Sequence, residues 1–388
     1  IAGSVVLLQP ATELLPAAPW LLPFLTLPRL ARRTPNLSDG TPAAGSLVSI
    51  IIPARNEAAT IRTVVESILR STYSPFEVLV VDDRSTDQTA TVVGQLRSDP
   101  RVSLVPGAEL PEGWYGKPWA CYQGYQRARG ELLLFTDADT RHQPELLARA
   151  VGALLREQAA LVTVAPRQLC VSFWERIVMP HVWFLLALRY TPAGVNKARR
   201  ERDVIANGQF ILTTRAAYEK AGTHAAVRHE IAEDLALAQT YLRHGLRLHF
   251  AFAERLMETR MYQGLSSLIE GWSKNVYLGG RRSFPDEPVA RALVPLMLFI
   301  AEAFWLTPAA LLLGATVNPT LAGIAPMSAA AVALSTLFWM LICYGMKIPV
   351  IYGLGYPLGS LITLYIALRS TWRGGRKVEW RGRVYRGG

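Results

Sequence analysis

Residues 292 to 369 are nearly free of charge. They divide into apolar stretches at 292–316, 323–346 and 348–369, each near the ~20 residues an α-helix needs to cross a bilayer. A chain with such a segment is expected to be embedded in a membrane. Arg369, Arg373, Arg376, Lys377, Arg381, Arg383 and Arg386 follow, and a basic tail belongs on the cytoplasmic side. Three complete spans after a cytoplasmic domain would carry that tail outside. Two true spans are therefore expected, the remaining segment lying in-plane or re-entrant.

The rest of the chain differs. Hydrophobic residues make up 51% of the 388 residues, and the mean hydropathy is +0.19, high for a wholly soluble protein. Net charge is +11. Such an excess of Lys and Arg serves either nucleic acid or the cytoplasmic face of a membrane. Many of the basic residues flank apolar segments, so the membrane is favoured and no nucleic-acid partner is expected. Cys121, Cys170 and Cys343 are odd in number and widely spaced, which implies neither a disulfide framework nor a zinc site. Residues 1–28 are apolar but broken by prolines, and Arg29, Arg32 and Arg33 follow. Residues 1–33 are read as an N-terminal membrane anchor, and the start at Ile1 suggests a shortened first helix. Residues 34–46 are a Pro/Gly/Ser/Thr linker.

From residue 47 strands and helices alternate. Leu47–Ile52, Glu77–Asp82 and Val102–Val105 read as strands, and Ala58–Arg70 and Lys117–Ala128 as helices. Leu132–Phe135 is a short apolar run of the kind buried on both faces of a parallel sheet. The alternation predicts an α/β domain with a mostly parallel, nucleotide-binding sheet. Ligands of such sheets bind beyond the carboxyl ends of the strands. Here those ends are polar: Pro53-Ala54-Arg55-Asn56-Glu57, Asp82-Asp83 and Asp137-Ala138-Asp139. Asp-x-Asp can be a simple polar turn, or can place two hard oxygens on one Mg²⁺ or Mn²⁺ bridging a diphosphate. Three acidic strand ends would repel phosphate unless a metal lay between them. Asp87 reads as a helix cap. No Gly-x-x-x-x-Gly-Lys-Ser/Thr occurs, so a P-loop is excluded.

Several other stretches carry candidate groups. Lys117, at the start of a helix, can neutralise a phosphate there, or Trp114 and Trp119 can simply anchor a structural loop. Val204–Thr213 reads as a strand interrupted by Asn207-Gly208, and a glycine in a strand often marks close approach of a ligand. Glu233 and Asp234 open a helix, where acidic residues are ordinary dipole partners. Residues 171–190 look like an in-plane amphipathic helix, with Trp174 and Trp183 at the interface. Lys197, Arg199, Arg200 and Arg202 follow, and they read either as a solvated loop or, the favoured reading, as a contact for anionic lipid.

Taken in order, Pro53–Glu57, Asp82–Asp87, Asp137-Ala-Asp139 and Glu233-Asp234 resemble family 2 glycosyltransferases of the GT-A fold, over roughly residues 47–260. The resemblance implies inverting transfer from a nucleotide-diphosphate sugar, with UDP-glucose the family-level guess. It gives Pro53, Ala54, Asn56, Glu57 and either Asp82 or Asp83 to the nucleotide, and Asp137 and Asp139, with Ala138 between them, to Mg²⁺ or Mn²⁺. Gly208 and Gln209 would border the sugar and acceptor, and Asp234 beside Glu233 would be the general base. An Asp is a weak base at its ordinary pKa near 3.9, so burial or Glu233 would have to raise it. Trp272 is a candidate floor for the acceptor and Lys274 a candidate diphosphate contact. The Gln-x-x-Arg-Trp of processive members is missing: Leu268, Ile269, Glu270 and Gly271 precede Trp272.

Within the family, the 375–385 tail and the Asn207-Gly-Gln-Phe stretch are most similar to bacterial carotenoid- and hopanoid-associated glycosyltransferases, and more distantly to ceramide glucosyltransferases. The expected organisation is an anchor at 1–33, a cytosolic catalytic domain at 47–262, an interfacial helix at 263–290, a transmembrane region at 291–370 and a basic cytoplasmic tail at 371–388. The expected activity is transfer of a single sugar to a lipid acceptor at the bacterial inner membrane. The rivals are a processive polysaccharide synthase and a non-catalytic nucleotide- or lipid-binding membrane protein.

Overall fold

The computed structural model describes residues 14–374, 378–380 and 383–385. The first part of the expected anchor and part of the basic tail (375–377, 381–382 and 386–388) lie outside the described residues.

A seven-stranded sheet forms the centre of the region before the apolar helices. Its strands are β1 (Val48–Ala54), β2 (Phe76–Asp82), β3 (Val102–Pro106), β4 (Leu132–Thr136), β6 (Leu161–Ala165), β8 (Phe210–Thr214) and β9 (Leu248–Phe252), ordered β3-β2-β1-β4-β8-β6-β9. Pairing is parallel except where β8 runs antiparallel between β4 and β6. The apolar runs in β1, β2 and β4 are buried on both faces because helices cover both sides. A small sheet of β5 (Thr140–His142), β7 (Arg167–Gln168) and β10 (Met257–Thr259) sits beside it, and it pins the turn that follows β4.

The helices of the sheet region are α1 (Ile61–Leu69), α2 (Thr89–Leu96), α3 (Gly116–Arg127) and α4 (Leu146–Arg156). A tight seat fixes α3: a Cβ on Gly124 would lie 2.4 Å from Ile51 Cγ2, so only glycine lets this helix reach the sheet. The strand expected over Val204–Thr213 is a correction. Only Phe210–Thr214 is strand, and Val204–Gln209 forms a loop. The cause is local: Asn207 turns the chain by bonding Thr163 and Val164 of the neighbouring strand instead of continuing a ladder.

Residues 171–190 do form one helix, α5 (Phe173–Arg189). Ser172 and Glu175 make a reciprocal capping box at its start. Glu175, 2% exposed, also pairs with Arg260 at 3.0 Å. Next come α6 (Glu233–Arg243) and α7 (Leu265–Arg282). The apolar C-terminal region contains α8 (Pro288–Val317), α9 (Ala325–Gly345) and α10 (Tyr356–Arg373). With the short 3₁₀ turns that precede α9 and α10, all three are long and apolar enough to cross a membrane. The described part of the expected anchor is a 3₁₀ helix, Leu15–Thr26, whose Trp20 Nε1 donates to Phe304 O at 3.1 Å and whose Phe24 meets Phe338 edge-on. A buried aromatic cluster of Phe184, Trp305, Phe338 and Trp339 joins α5 to α8 and α9. The α5 helix is therefore packed between the sheet domain and the apolar helices.

Candidate active site

The loops after β1 and β2 are tied to one another. Asn56, in a left-handed conformation (φ 54°), donates its N–H to Ser85 Oγ at 3.0 Å and accepts from Thr86 N–H at 2.8 Å through Oδ1. Asp82 Oδ1 accepts from Ser85 N–H at 3.2 Å. Asp87 accepts from the Ala58 and Thr89 N–H groups, the expected capping role. Asp83 is fully buried, and its N–H donates to Ala54 O at 2.7 Å.

The turn after β4 carries Asp137 and Asp139. Thr140 Oγ1 donates to Asp137 O at 2.8 Å, and Thr259 Oγ1 to Asp139 O at 3.2 Å. His142 lies against Thr136 and Thr140 at 3.1 and 3.2 Å, and burial pushes its pKa down to about 3, so the ring is neutral. These supports come from short polar side chains that sequence reasoning passed over. A Thr-x-x-x-Thr-x-His run around two aspartates was the available signal.

Lys117 is the hub of the charged cluster. Its Nζ lies 2.8 Å from Asp137 Oδ1 and 2.8 Å from Glu233 Oε1. Burial alone would lower its pKa, but Asp137, Glu233 and Asp234 together hold it well above the ordinary lysine value. Glu233 is held below the usual carboxylate range, because the attraction of Lys117 outweighs its burial. Asp137 is pushed up, chiefly by burial, with Glu233 adding to the effect.

Asp234, two-pronged, accepts from Gly208 N–H at 2.9 Å and from Leu235 N–H at 2.8 Å. Burial, and then the charge of Glu233, raise its pKa to about 6. A carboxylate at that value is ionised at neutral pH yet basic enough to accept a proton. Gly208 is needed for proximity: a Cβ there would lie 2.9 Å from Lys117 Nζ and 3.2 Å from Asp234 Oδ2. Gln209 is 4% exposed and turns to Asn207, Gln168 and Thr259, which makes it part of the wall.

A cavity of about 1140 Å³ lies in front of this cluster. It is lined by Pro53, Glu57, Lys117, Asp137, Ala138, Asp139, Gly208, Gln209, Glu233, Asp234, Trp272 and Lys274. Of the residues expected at the site, Ala54, Asn56, Asp82 and Asp83 do not line it: Ala54 and Asp82 end β1 and β2, and Asn56 and Asp83 lie in the loops that follow. The cavity continues between apolar walls from α5, α7 and α8, among them Trp183, Leu186, Met297 and Leu298. Trp272 stands at the junction, its Nε1 donating to Met179 Sδ at 3.3 Å, and Lys274 lies where its charge acts on Asp137. Close packing of α7 depends on Gly271, whose Cβ would meet the Tyr262 ring at 2.4 Å.

The donor set at the turn is two carboxylates one residue apart. Among the described residues no group of three His, Cys, Asp or Glu side chains gathers to enclose a metal. Two carboxylates fit Mg²⁺ or Mn²⁺, which keep several waters and take substrate phosphates as their other ligands. They do not fit a closed structural site.

Residues 49–224 match the family model "Glycosyl transferase family 2". A 4,4'-diaponeurosporenoate glycosyltransferase of Staphylococcus aureus (strain MRSA252) is 32% identical over 262 residues, covering 65% of this chain and 66% of that protein. The protein of the same name from strain USA300 is 31% identical over 61% of this chain and 63% of that protein. The matched part thus spans just under two thirds of the length of these relatives. Among solved structures, a mannosyltransferase from Pyrobaculum calidifontis in complex with GDP-Man and Mn²⁺ superposes with a TM-score of 0.58 at 20% identity, covering 94% of this chain and 99% of that one. This last similarity is one of fold.

Proposed function

From a chain whose residues 49–224 form a family 2 glycosyl transferase domain with the GT-A architecture, we propose an enzyme that moves one sugar from a nucleotide-diphosphate sugar onto a membrane lipid. The acceptor to test first is a carotenoid carboxylate, in line with the name of the similar staphylococcal proteins; hopanoids and sphingolipids come next. UDP-glucose is the first donor, with GDP-mannose beside it because the Pyrobaculum calidifontis structure holds GDP-Man. The observation that carries the reading is one continuous cavity, charged where Lys117, Asp137 and Asp234 meet and apolar between α5, α7 and α8.

The proposed reaction is a single displacement with inversion. An acceptor oxygen attacks the anomeric carbon, the bond from that carbon to the diphosphate oxygen breaks, and the nucleoside diphosphate leaves with the electron pair. Asp137 and Asp139 would hold Mg²⁺ or Mn²⁺, which when bound stabilises charge on the departing diphosphate. Lys117 sits within reach of the same turn and presents a cation to the phosphates. Gly208 N–H fixes one oxygen of Asp234, which leaves that carboxylate positioned to take the proton of an acceptor hydroxyl. The loops holding Asn56, Asp82 and Asp83 would receive the base and ribose. The apolar walls and Trp272 would seat the lipid. We assign catalysis to residues 47–262, an interfacial role to 263–290 and membrane embedding to 291–370, at the bacterial inner membrane with the catalytic domain cytosolic.

A carboxylate acceptor arrives ionised and has no proton to lose, whereas an alcohol needs a base. Asp234→Asn tested with a carotenoid carboxylate and with a lipid alcohol separates the two cases. If the alcohol is the natural class, transfer falls at least ~100-fold, the usual scale of general-base loss. If the carboxylate is, most activity survives. No transfer by the parent protein with any donor and either acceptor would contradict the proposal.

A further inference from the structure

We propose a second ligand site: a cationic pocket that binds the phosphate of an anionic phospholipid at the foot of the apolar helices. It has a volume of about 380 Å³, within the ~300–1,000 Å³ range of small-molecule sites. Arg29 approaches it from the N-terminal segment, and Arg189, Lys197, Arg199 and Arg200 from the end of α5 and the loop after it. One carboxylate, Asp203, faces these five cations, and it is already engaged by Arg189 at 3.6 Å and by Arg202 at 3.8 Å. Among the described residues, Arg29, Lys197, Arg199 and Arg200 form no ion pair, and all four are exposed. Five cations facing one carboxylate leave the pocket with a net positive charge, so the arrangement calls for an anion.

Two independent contacts place the pocket at the level where the apolar helices begin. Arg29 follows directly on the apolar segment Leu15–Thr26, which packs through Trp20 and Phe24 on α8 and α9. On the other side, Arg202 pairs with Glu287, the residue immediately before α8. Both chain segments therefore pass from apolar helix to cation at the pocket. That is the depth of phospholipid headgroups, where each basic residue contributes roughly a fivefold gain in binding of anionic lipid. The site is distinct from the reaction cluster and does not depend on the transfer reaction.

The test is native mass spectrometry of the full chain, purified in detergent and titrated with phosphatidylglycerol, phosphatidylcholine or inorganic phosphate. The parent protein is expected to retain phosphatidylglycerol at concentrations where phosphatidylcholine is lost, with inorganic phosphate unable to displace it. Lys197→Gln/Arg199→Gln/Arg200→Gln should weaken retention more than tenfold, and Arg29→Gln alone, from the other element, roughly fivefold. Arg199→Lys/Arg200→Lys should keep it, which separates charge from folding. Equal retention of the two lipids, or retention unchanged in both Gln variants, would overturn the proposal. Displacement of the lipid by inorganic phosphate at equal concentration would make this a free-phosphate pocket and would also overturn it.

Discussion

Replacing Asp234 by Asn should change stability in a way that depends on pH. The carboxyl titrates near pH 3.8 in an unfolded chain and near 6 in the folded protein. A gap of about two pKa units corresponds to about 3 kcal/mol of disfavoured charge. Because the side chain keeps partial contact with water, about 2 kcal/mol is the better figure. The folded state binds this proton more tightly than the unfolded state, so the parent loses stability as pH rises from about 4 through 6 and no more above that. Asn cannot ionise and escapes that loss. It does forfeit one of the two acceptor bonds to Gly208 and Leu235 N–H, at about 1 kcal/mol. The variant should therefore be about 1 kcal/mol more stable than the parent at pH 8, and about 1 kcal/mol less stable at pH 4. Denaturant unfolding in detergent at both pH values, with chelator present, measures the difference. An offset of the same sign and size at both values would refute the assignment of a raised pKa to Asp234.

Other predictions follow from the same geometry. Gly208→Ala, whose Cβ would lie 2.9 Å from Lys117 Nζ, should lower kcat/KM by tenfold or more (~1.4 kcal/mol) with little change in melting temperature, since the flexible lysine end can move aside. Asp139→Ala should weaken Mn²⁺ binding measured by electron paramagnetic resonance in the presence of nucleoside diphosphate; unchanged affinity would remove Asp139 from the metal set. Glu175→Ala leaves Arg260 without its buried partner and removes the Glu175 half of the capping box of α5, so melting should report a loss of about 3 kcal/mol.

Much of this arrangement is legible in the sequence. β4 was readable because Leu132–Phe135 is apolar without alternation, and the acidic residues at the ends of β2 and β4 follow from strand polarity alone. The register of α3, and with it Lys117, follows from helical periodicity. What could not be read is non-local. Nothing between residues 204 and 214 says that β8 inserts antiparallel between β4 and β6, because strand order depends on pairing between segments far apart in sequence. For the same reason the Lys117–Glu233 pair, joining residues 116 positions apart, was invisible, although each residue was a candidate by itself. Asn207-Gly208 was recognised as a close approach, but as a break in a strand rather than a loop that delivers a backbone N–H to Asp234. In the apolar half of the cavity Trp272 is legible as a floor for the acceptor, but the other walls are not. Trp183, Leu186 and Met297 are ordinary helix residues until α5 and α8 are packed together.

The most direct test of the central claim is mass-spectrometric analysis of lipids after incubating purified full chain with Mn²⁺, a carotenoid carboxylate and UDP-glucose or GDP-mannose. One added hexose per acceptor and no longer chains are expected, with the product lost in Asp139→Ala. A ladder of added sugars would indicate a polymerising enzyme, and no glycosylated lipid despite measurable nucleotide-sugar binding would contradict the account.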